Sequence, residues 1–359
     1  MTIFRDVADW WRTSLARRYP QMALTRAQRL LCNGQPEAAV KLLAAAASAR
    51  LPAAAYELGI CYLAGRGMPQ DSAQAVQWLT LAARHGDVDA QVKLAGLLVH
   101  GIPGSDHNNL FPVHPGETIQ NFPEAAMWAR RAAEAGAAGG MALLAFILSA
   151  GPAELRNEAE AKHWYACAAA KKLPQGQLGY GLILLAQADS STEAQAALAG
   201  IREAAAAGLA QAHYCLATLL ETGTPLIDQD IVEAMQHYRA AAKGGLTHAM
   251  SRLGLALMDG TGMTANAEEG ETWLRRAALQ GDVAAALRLG KLYAAQDVAL
   301  PPNYMEAARW FKLAAEAGSP EAANAMGKLH LLGKGVEPDK AAALAWFNRA
   351  ASATGIGAT

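Results

Sequence analysis

The chain is short of charge and of aromatic side chains. Asp, Glu, Lys and Arg make up 18% of its 359 residues and Phe, Trp and Tyr 6%, with a formal net charge of −1. A balance so near zero creates no field that would gather nucleic acid. Only residues 1–50 depart from it, where eight Lys/Arg against three Asp/Glu leave +5 and the rest of the chain −6. The four cysteines, Cys32, Cys61, Cys167 and Cys215, include no CxxC pair and follow no regular spacing. That excludes a disulfide framework and a zinc ribbon, and reads as buried, reduced thiols in a cytoplasmic protein. The N-terminus lacks the short apolar core and small-residue cleavage site of a secretory leader. Strand-like alternation of β-branched residues is scarce. Ala135 to Ala153 runs 19 residues without a charge. That length nominally suffices to span a bilayer, but four glycines interrupt it and it falls in the register of a repeat, so it is read as part of that repeat.

Catalytic motifs are missing too. There is no GxxxxGK[ST], GxSxG, HExxH or SxxK, and Gly65-Arg-Gly67 and Gly333-Lys-Gly335 lack the strand-to-helix context of a phosphate cradle. The reading is a non-enzymatic protein that needs no cofactor and no metal.

What the chain does have is alanine and periodicity. Alanine loses no side-chain entropy in a helix and lets helices approach closely. A small residue, after Leu or Met everywhere but at Gly181 (which follows Tyr180), recurs at Gly59, Ala95, Ala145, Gly181, Ala217, Gly254, Gly290 and Gly327, in steps of 36, 50, 36, 36, 37, 36 and 37. A second element, Trp-x-x-x-Ala-Ala, begins at Trp78, Trp128, Trp164, Trp273, Trp310 and Trp346, with Gly200 and His237 in the two remaining slots and Leu42 in a first, degenerate unit. Each period reads as two helices. Helix A carries the small residue (about 53–64, 284–294, 321–331) and helix B the Trp (about 72–85, 304–317, 339–352). Glycine ends helix A, Asp71 or Asp339 caps helix B, and Gly86, Gly136, Gly208, Gly245, Gly281 and Gly318 end helix B. The small residue lets the paired helix cross close to the backbone, and the Trp is a packing anchor with one N–H to satisfy.

Leu-Gly-x-x-Tyr-x-x-Gly-x-Gly, followed by Asp-x-x-x-Ala-x-x-Trp-x-x-x-Ala-Ala-x-x-Gly, resembles the Sel1-like repeat, a relative of the tetratricopeptide repeat. The resemblance covers residues 50–354 as eight repeats, with 21–49 as a degenerate tetratricopeptide-like pair, 1–20 as an N-terminal capping helix and 355–359 as a flexible tail. It implies an all-α, right-handed superhelical solenoid of about nine antiparallel helix pairs, used as an adaptor or scaffold, with helix A lining the concave side. A repeat that touches only its neighbours presents a long surface rather than an enclosed pocket, which suits extended or helical peptides.

By tetratricopeptide analogy the groove-facing positions are Tyr56, Ile60, Val92, Phe146, Leu178, Tyr214, Thr218, Ser251, Lys291 and Lys328. The lining then runs from apolar and aromatic to basic, and the bland alternative is that several of these residues pack between repeats. The 14 extra residues of the third step fall in an insertion, 101–121, whose His107, Asn108, Leu110, Phe111 and His114 are unusual for a surface loop. It is read as a contact loop or as a self-packed ornament. His100, Asp106, His107 and His114 match no metal-ligand spacing. Residues 2–18 form an amphipathic helix (Ile3, Phe4, Val7, Trp10, Trp11 and Leu15 against Arg5, Arg12, Arg17 and Arg18). It caps the solenoid or, less simply, rests on an anionic membrane as the anchor of a peripheral adaptor. The last helix B, with Trp346 and Phe347, has no polar cap after it, so a second copy of the chain or another partner is expected to cover that end. A protein-binding scaffold leads these readings. The membrane adaptor follows, and a hydrolase or metal-dependent enzyme built on the insertion comes last.

Overall fold

The computed structural model describes residues 15–103, 118–295 and 302–353. The chain divides into two compact units, Met1–Ile183 and Leu184–Thr359. The first unit holds α1 (Pro20–Cys32), α2 (Pro36–Ser48), α3 (Pro52–Ala64), α4 (Ser72–Arg84), α5 (Val88–His100), α6 (Phe122–Glu134), α7 (Ala138–Ala150), α8 (Glu158–Ala170) and most of α9 (Pro174–Ala186). The second holds α10 (Ser191–Ala206), α11 (Ala210–Thr222), α12 (Ile231–Lys243), α13 (Thr247–Asp259), α14 (Ala267–Leu279), α15 (Val283–Ala294), α16 (Tyr304–Glu316), α17 (Pro320–Leu332) and α18 (Lys340–Ala353). Each unit is a stack of helix pairs, and the fold is an all-α solenoid. Helix A is the odd-numbered member of each pair and helix B the even one, with bounds within two residues of those the periodicity predicts. The stretch 135–153 contains α7, which at 13 residues is a short repeat helix. Among the described residues no helix is long and apolar enough to cross a membrane.

One feature departs from a purely helical reading. β1 (Ile102–Pro103) and β2 (Thr118–Ile119) form a two-residue antiparallel ladder, Ile102 opposite Ile119 and Pro103 opposite Thr118. It pinches the base of the insertion between α5 and α6. His107, Asn108, Leu110, Phe111 and His114 lie outside the described residues, as do most of the 2–18 segment and the 355–359 tail.

The pairs are close because their facing residues are small. A Cβ placed on Gly290 of α15 would stand 2.5 Å from Phe311 of α16, and one on Gly254 of α13 would stand 2.8 Å from Leu274 of α14. In both cases the neighbour is the residue that follows the Trp. Helix B starts on an Asx cap in most pairs: Asp71 accepts from the amides of Ala73 and Gln74 at 2.9 and 3.0 Å, and Asn157, Asp230, Asn266 and Asn303 make the equivalent bond, while Ser190 caps α10 and α2 has no side-chain cap. These bonds satisfy amides that have no partner within the helix.

Two residues depart from the pattern at the end of helix B. The position after its cap is left-handed in every pair whose helix B end is described, with φ between +85° and +97° at Gly86, Gly136, Gly208, Gly245, Gly281 and Gly318. Arg50 and Lys172 occupy the same register with φ of +62° and +59°. A side chain with a Cβ is strained there. Lys172→Gly and Arg50→Gly are each expected to stabilise the fold by about 0.5–1 kcal/mol, because relief of the strain exceeds the entropy that glycine adds to the unfolded chain. Urea titration of each variant against the parent checks this, and an unchanged or lower midpoint would contradict it.

The Trp anchors carry a second layer of order. Trp128 is 2% exposed and Trp273 8%. The indole N–H of Trp128 donates to Glu124 at 3.3 Å, that of Trp164 to Glu160 at 3.2 Å and that of Trp273 to Glu269 at 3.3 Å, each four residues back. The same glutamate takes an arginine from the preceding helix B: Arg130 with Glu160 at 2.5 Å, Arg202 with Glu233 at 3.4 Å and Arg239 with Glu269 at 3.4 Å. A further arginine, three residues after the Trp, lies over the ring at 4.9 Å in Arg131–Trp128 and Arg276–Trp273. Arginine on the face of an indole adds attraction beyond packing. Trp310 breaks the series: Arg309 engages Glu306 at 2.6 Å, and the buried Trp310 N–H has no acceptor.

The four thiols are free. Cys61 is buried and Cys167 and Cys215 are half-buried, but Cys32 is exposed, which corrects its reading as a core thiol. It is the last residue of α1, where the helix end turns outward.

Candidate functional site

The A helices of each unit present the side chains that analogy selected. In the first unit, α3 supplies Tyr56 and Ile60, α5 Val92, α7 Phe146 and α9 Leu178. The position just after the small residue is the informative column, because 36-residue steps bring the same helical face round each time. It holds Ile60, Gly96, Phe146 and Leu182 here; Ile60 is half-buried, and Phe146 is 42% and Leu182 38% exposed. Large apolar side chains so open are not needed for the core. Val92 has a structural share, since its methyl would lie 3.1 Å from a Cβ on Gly139 of the next A helix. Tyr56 is half-buried, and burial pushes its phenol up, helped by Asp89, Glu57 and Asp87.

In the second unit the same column holds Thr218, Lys291 and Lys328. Thr218 donates to the Tyr214 carbonyl at 3.0 Å, and the Tyr214 ring meets Tyr238 of α12 edge-on at 5.8 Å. Tyr238 donates to Glu221 at 2.7 Å, and the other oxygen of Glu221 takes the Arg252 guanidinium from α13. Burial pushes Tyr238 up to about 12, with the Glu221 carboxylate adding to the effect and the Thr218 hydroxyl opposing it. Burial also raises Glu221, but the bonds from Arg252 and Tyr238 outweigh it and hold its carboxyl below the usual range.

Two expectations are corrected here. Ser251 is 7% exposed, too deep to line an open face; its hydroxyl points at Asp282, the cap of α15, 3.5 Å away. The basic half of the lining is also less basic than the sequence implies. Lys291 pairs with Glu321 of α17 at 2.7 Å, Arg288 with Asp259 of α13 at 3.4 Å, and Arg252 with Glu221. Lys328 is exposed. The acidic partners escape a reading that scores one repeat at a time. The signal that finds them is opposite charge at a separation of 29–31 residues, one period less about a turn and a half, on both helix faces.

Among the described residues no group of three or more His, Cys, Asp or Glu is placed to hold a metal ion. An open cleft of about 660 Å³ lies beside α1, walled by Leu15, Tyr19, Met22 and Leu42. Neither the cleft nor the A-helix face brings together a nucleophile, a base and an oxyanion donor.

The family model described as Sel1 repeat matches residues 52–87, 112–136, 138–173, 209–246, 247–282, 283–319 and 320–354. The chain is 33% identical over 130 residues to the chitin synthase regulator SKT5 of Malassezia restricta, a match covering 36% of this chain and 8% of that protein. It spans less than half the length of the curated relatives it matches. Among solved structures, the Sel1 repeat protein of Oxalobacter formigenes superposes with a TM-score of 0.60 at 23% identity, over 86% of this chain and 87% of that one. The protein c5321, a protective antigen of uropathogenic Escherichia coli with an SLR fold, gives a TM-score of 0.53 at 26% identity, over 96% and 71%.

Proposed function

We propose, from the premise that this chain belongs to the Sel1 repeat family, that it is a non-enzymatic scaffold whose A-helix faces hold a partner protein or peptide. Sel1 repeats generally mediate protein–protein interaction, and the relative that is a chitin synthase regulator is of the same class: it is named for acting on another protein. The observation that carries the reading is the pair Phe146 and Leu182, exposed apolar side chains at one register position of successive A helices, where packing alone would not place them. A partner segment with apolar side chains at matching intervals would bury them, and a few such anchors supply most of an interface's energy. In the second unit the A-helix residues Tyr214, Thr218 and Lys328 offer hydrogen bonds and one positive charge. The free thiols and the near-neutral surface fit work inside the cytoplasm, with no role for nucleic acid.

The test is affinity capture with the full chain from its host, repeated with Phe146→Ala plus Leu182→Ala and, as a control on helix B, with Met127→Ala, which is 41% exposed. One hot spot of about 2 kcal/mol is worth about 30-fold, so loss of the two anchors should weaken a specific partner by more than that, while the control retains it. Persistence of every captured protein in the double variant would overturn the assignment of the face.

A further inference from the structure

His237 of α12 stands where six of its register mates carry Trp, and it is not alone. Its Nδ1 lies 2.8 Å from Nδ1 of His213 on α11, with the ring centroids 5.1 Å apart. One hydrogen fits in that gap, so one of the two nitrogens must be a bare acceptor. The surroundings say which. His213 also hydrogen-bonds the Ala205 backbone of α10, a contact that favours its protonated form, and so it donates there to a carbonyl. With Nδ1 turned to His237, that donor is Nε2–H. The neutral ring then has a lone pair on Nδ1, and His237 Nδ1–H donates to it. Nε2 of His237 lies 3.5 Å from Glu233, to which it donates only when the His237 ring carries a proton on both nitrogens, and Glu233 lies 3.4 Å from Arg202 of α10. A chain of polar contacts thus crosses α10, α11 and α12.

A second proton breaks this chain. Placed on Nδ1 of His213, it sets N–H against N–H in a half-buried contact. Burial, and then the neighbouring His237, hold His213 below the ordinary imidazole range. The charged groups around the pair are Glu233 on α12 and Arg202 on α10. Glu221 on α11 and Arg252 on α13 are engaged with each other about two turns along α11. The next contact between α11 and α12 is Tyr214 against Tyr238, which positions the Tyr214–Thr218 face.

We propose that the His213–His237 pair is a proton-sensitive latch: the singly bridged pair holds α11 against α10 and α12, and a second proton releases α11 and with it the Tyr214–Thr218 face. That the latch controls binding rests on the scaffold reading; the latch itself does not. Its pH window follows from the geometry. Released His213 takes up its proton near the ordinary value of about 6.5, and the closed form resists it. Closure is therefore unaffected above that pH and weakens as pH falls below it, until the closed form protonates too.

Hydrogen exchange of the full chain, at about pH 7.5 and about pH 5.5 and corrected for intrinsic rates, tests the latch. Peptides within 205–238 should lose protection at the lower pH, by up to about tenfold per pH unit for one proton, against no such change over α3 and α4. His213→Asn keeps an acceptor and cannot titrate, and His237→Trp restores the anchor of the other pairs. Both should hold 205–238 closed at either pH, and His213→Asn suffices where the bulkier variant does not fold. Equal pH response in the wild type and His213→Asn, or none in the wild type, overturns the latch. A pH-dependent exchange pattern together with capture that ignores the A-helix variants would instead overturn the scaffold reading and leave the latch in place.

Discussion

Trp128→Ala should lower the stability of the first unit by about 3–5 kcal/mol, the range for deleting a buried aromatic side chain. Trp128 is 2% exposed, donates to Glu124 and lies under Arg131, so the variant loses packing, a hydrogen bond and a cation–π contact together. In a stack where each pair touches only its neighbours, the damage is transmitted through two interfaces rather than spread through a common core. The unfolding transition should therefore broaden as well as shift, which circular dichroism in urea will show. Phenylalanine separates the contributions. Trp128→Phe takes the donor from one Glu124 oxygen, the other still accepting from Asn121, whereas Trp310→Phe removes an indole N–H that has no acceptor and should be neutral or stabilising. Equal losses at the two positions would contradict the role assigned to the Trp–Glu bond.

The second large effect is expected at Gly290. Alanine there puts a methyl 2.5 Å from the Phe311 ring, and the ring cannot move away without displacing α15 or α16. Overpacking of this kind costs about 1–3 kcal/mol. The repair is partial and specific: Leu at 311 relieves the 2.5 Å clash with the ring, but a Cβ at Gly254 still stands 2.8 Å from Leu274, so Gly290→Ala should regain only part of the loss. A double-mutant cycle on the melting temperature measures the coupling. Additive losses from Gly290→Ala and Phe311→Leu would show that the small residue is not there for the crossing helix.

Much of this was legible in the sequence because it is written once per period. The Gly or Ala of helix A, the Trp of helix B and the glycines after helix B recur at 36 or 37 residues, and each meets the neighbour its register requires. What was not legible lies between periods. The Glu160 that accepts from Trp164 also takes Arg130, and the pairing appears only when two repeats are laid side by side. The arginine holds Glu160 below the usual carboxyl range, with the Trp164 bond adding to it, and no single-repeat reading contains that interaction. Ser251 shows the same limit. Its place on helix A is right for the face, but the Asp282 cap of the next pair closes over it. Lys172 and Arg50 stand one 36-residue step from Gly136 and Gly86, but neither is a glycine; their left-handed φ shows that the site keeps its conformation without one.

The helix-B arginine-to-glutamate links run in one direction, from α6 to α8, α10 to α12 and α12 to α14. If residues 203–239 are excised, Arg202 takes the place of Arg239 and faces Glu269 in the same register. The joint falls inside a helix at equivalent positions, and the helix-B link across it is kept. A lineage of such chains can thus gain or lose whole pairs by unequal recombination without first evolving a new interface, and the number of pairs becomes a heritable variable that selection can tune to the length of what is bound.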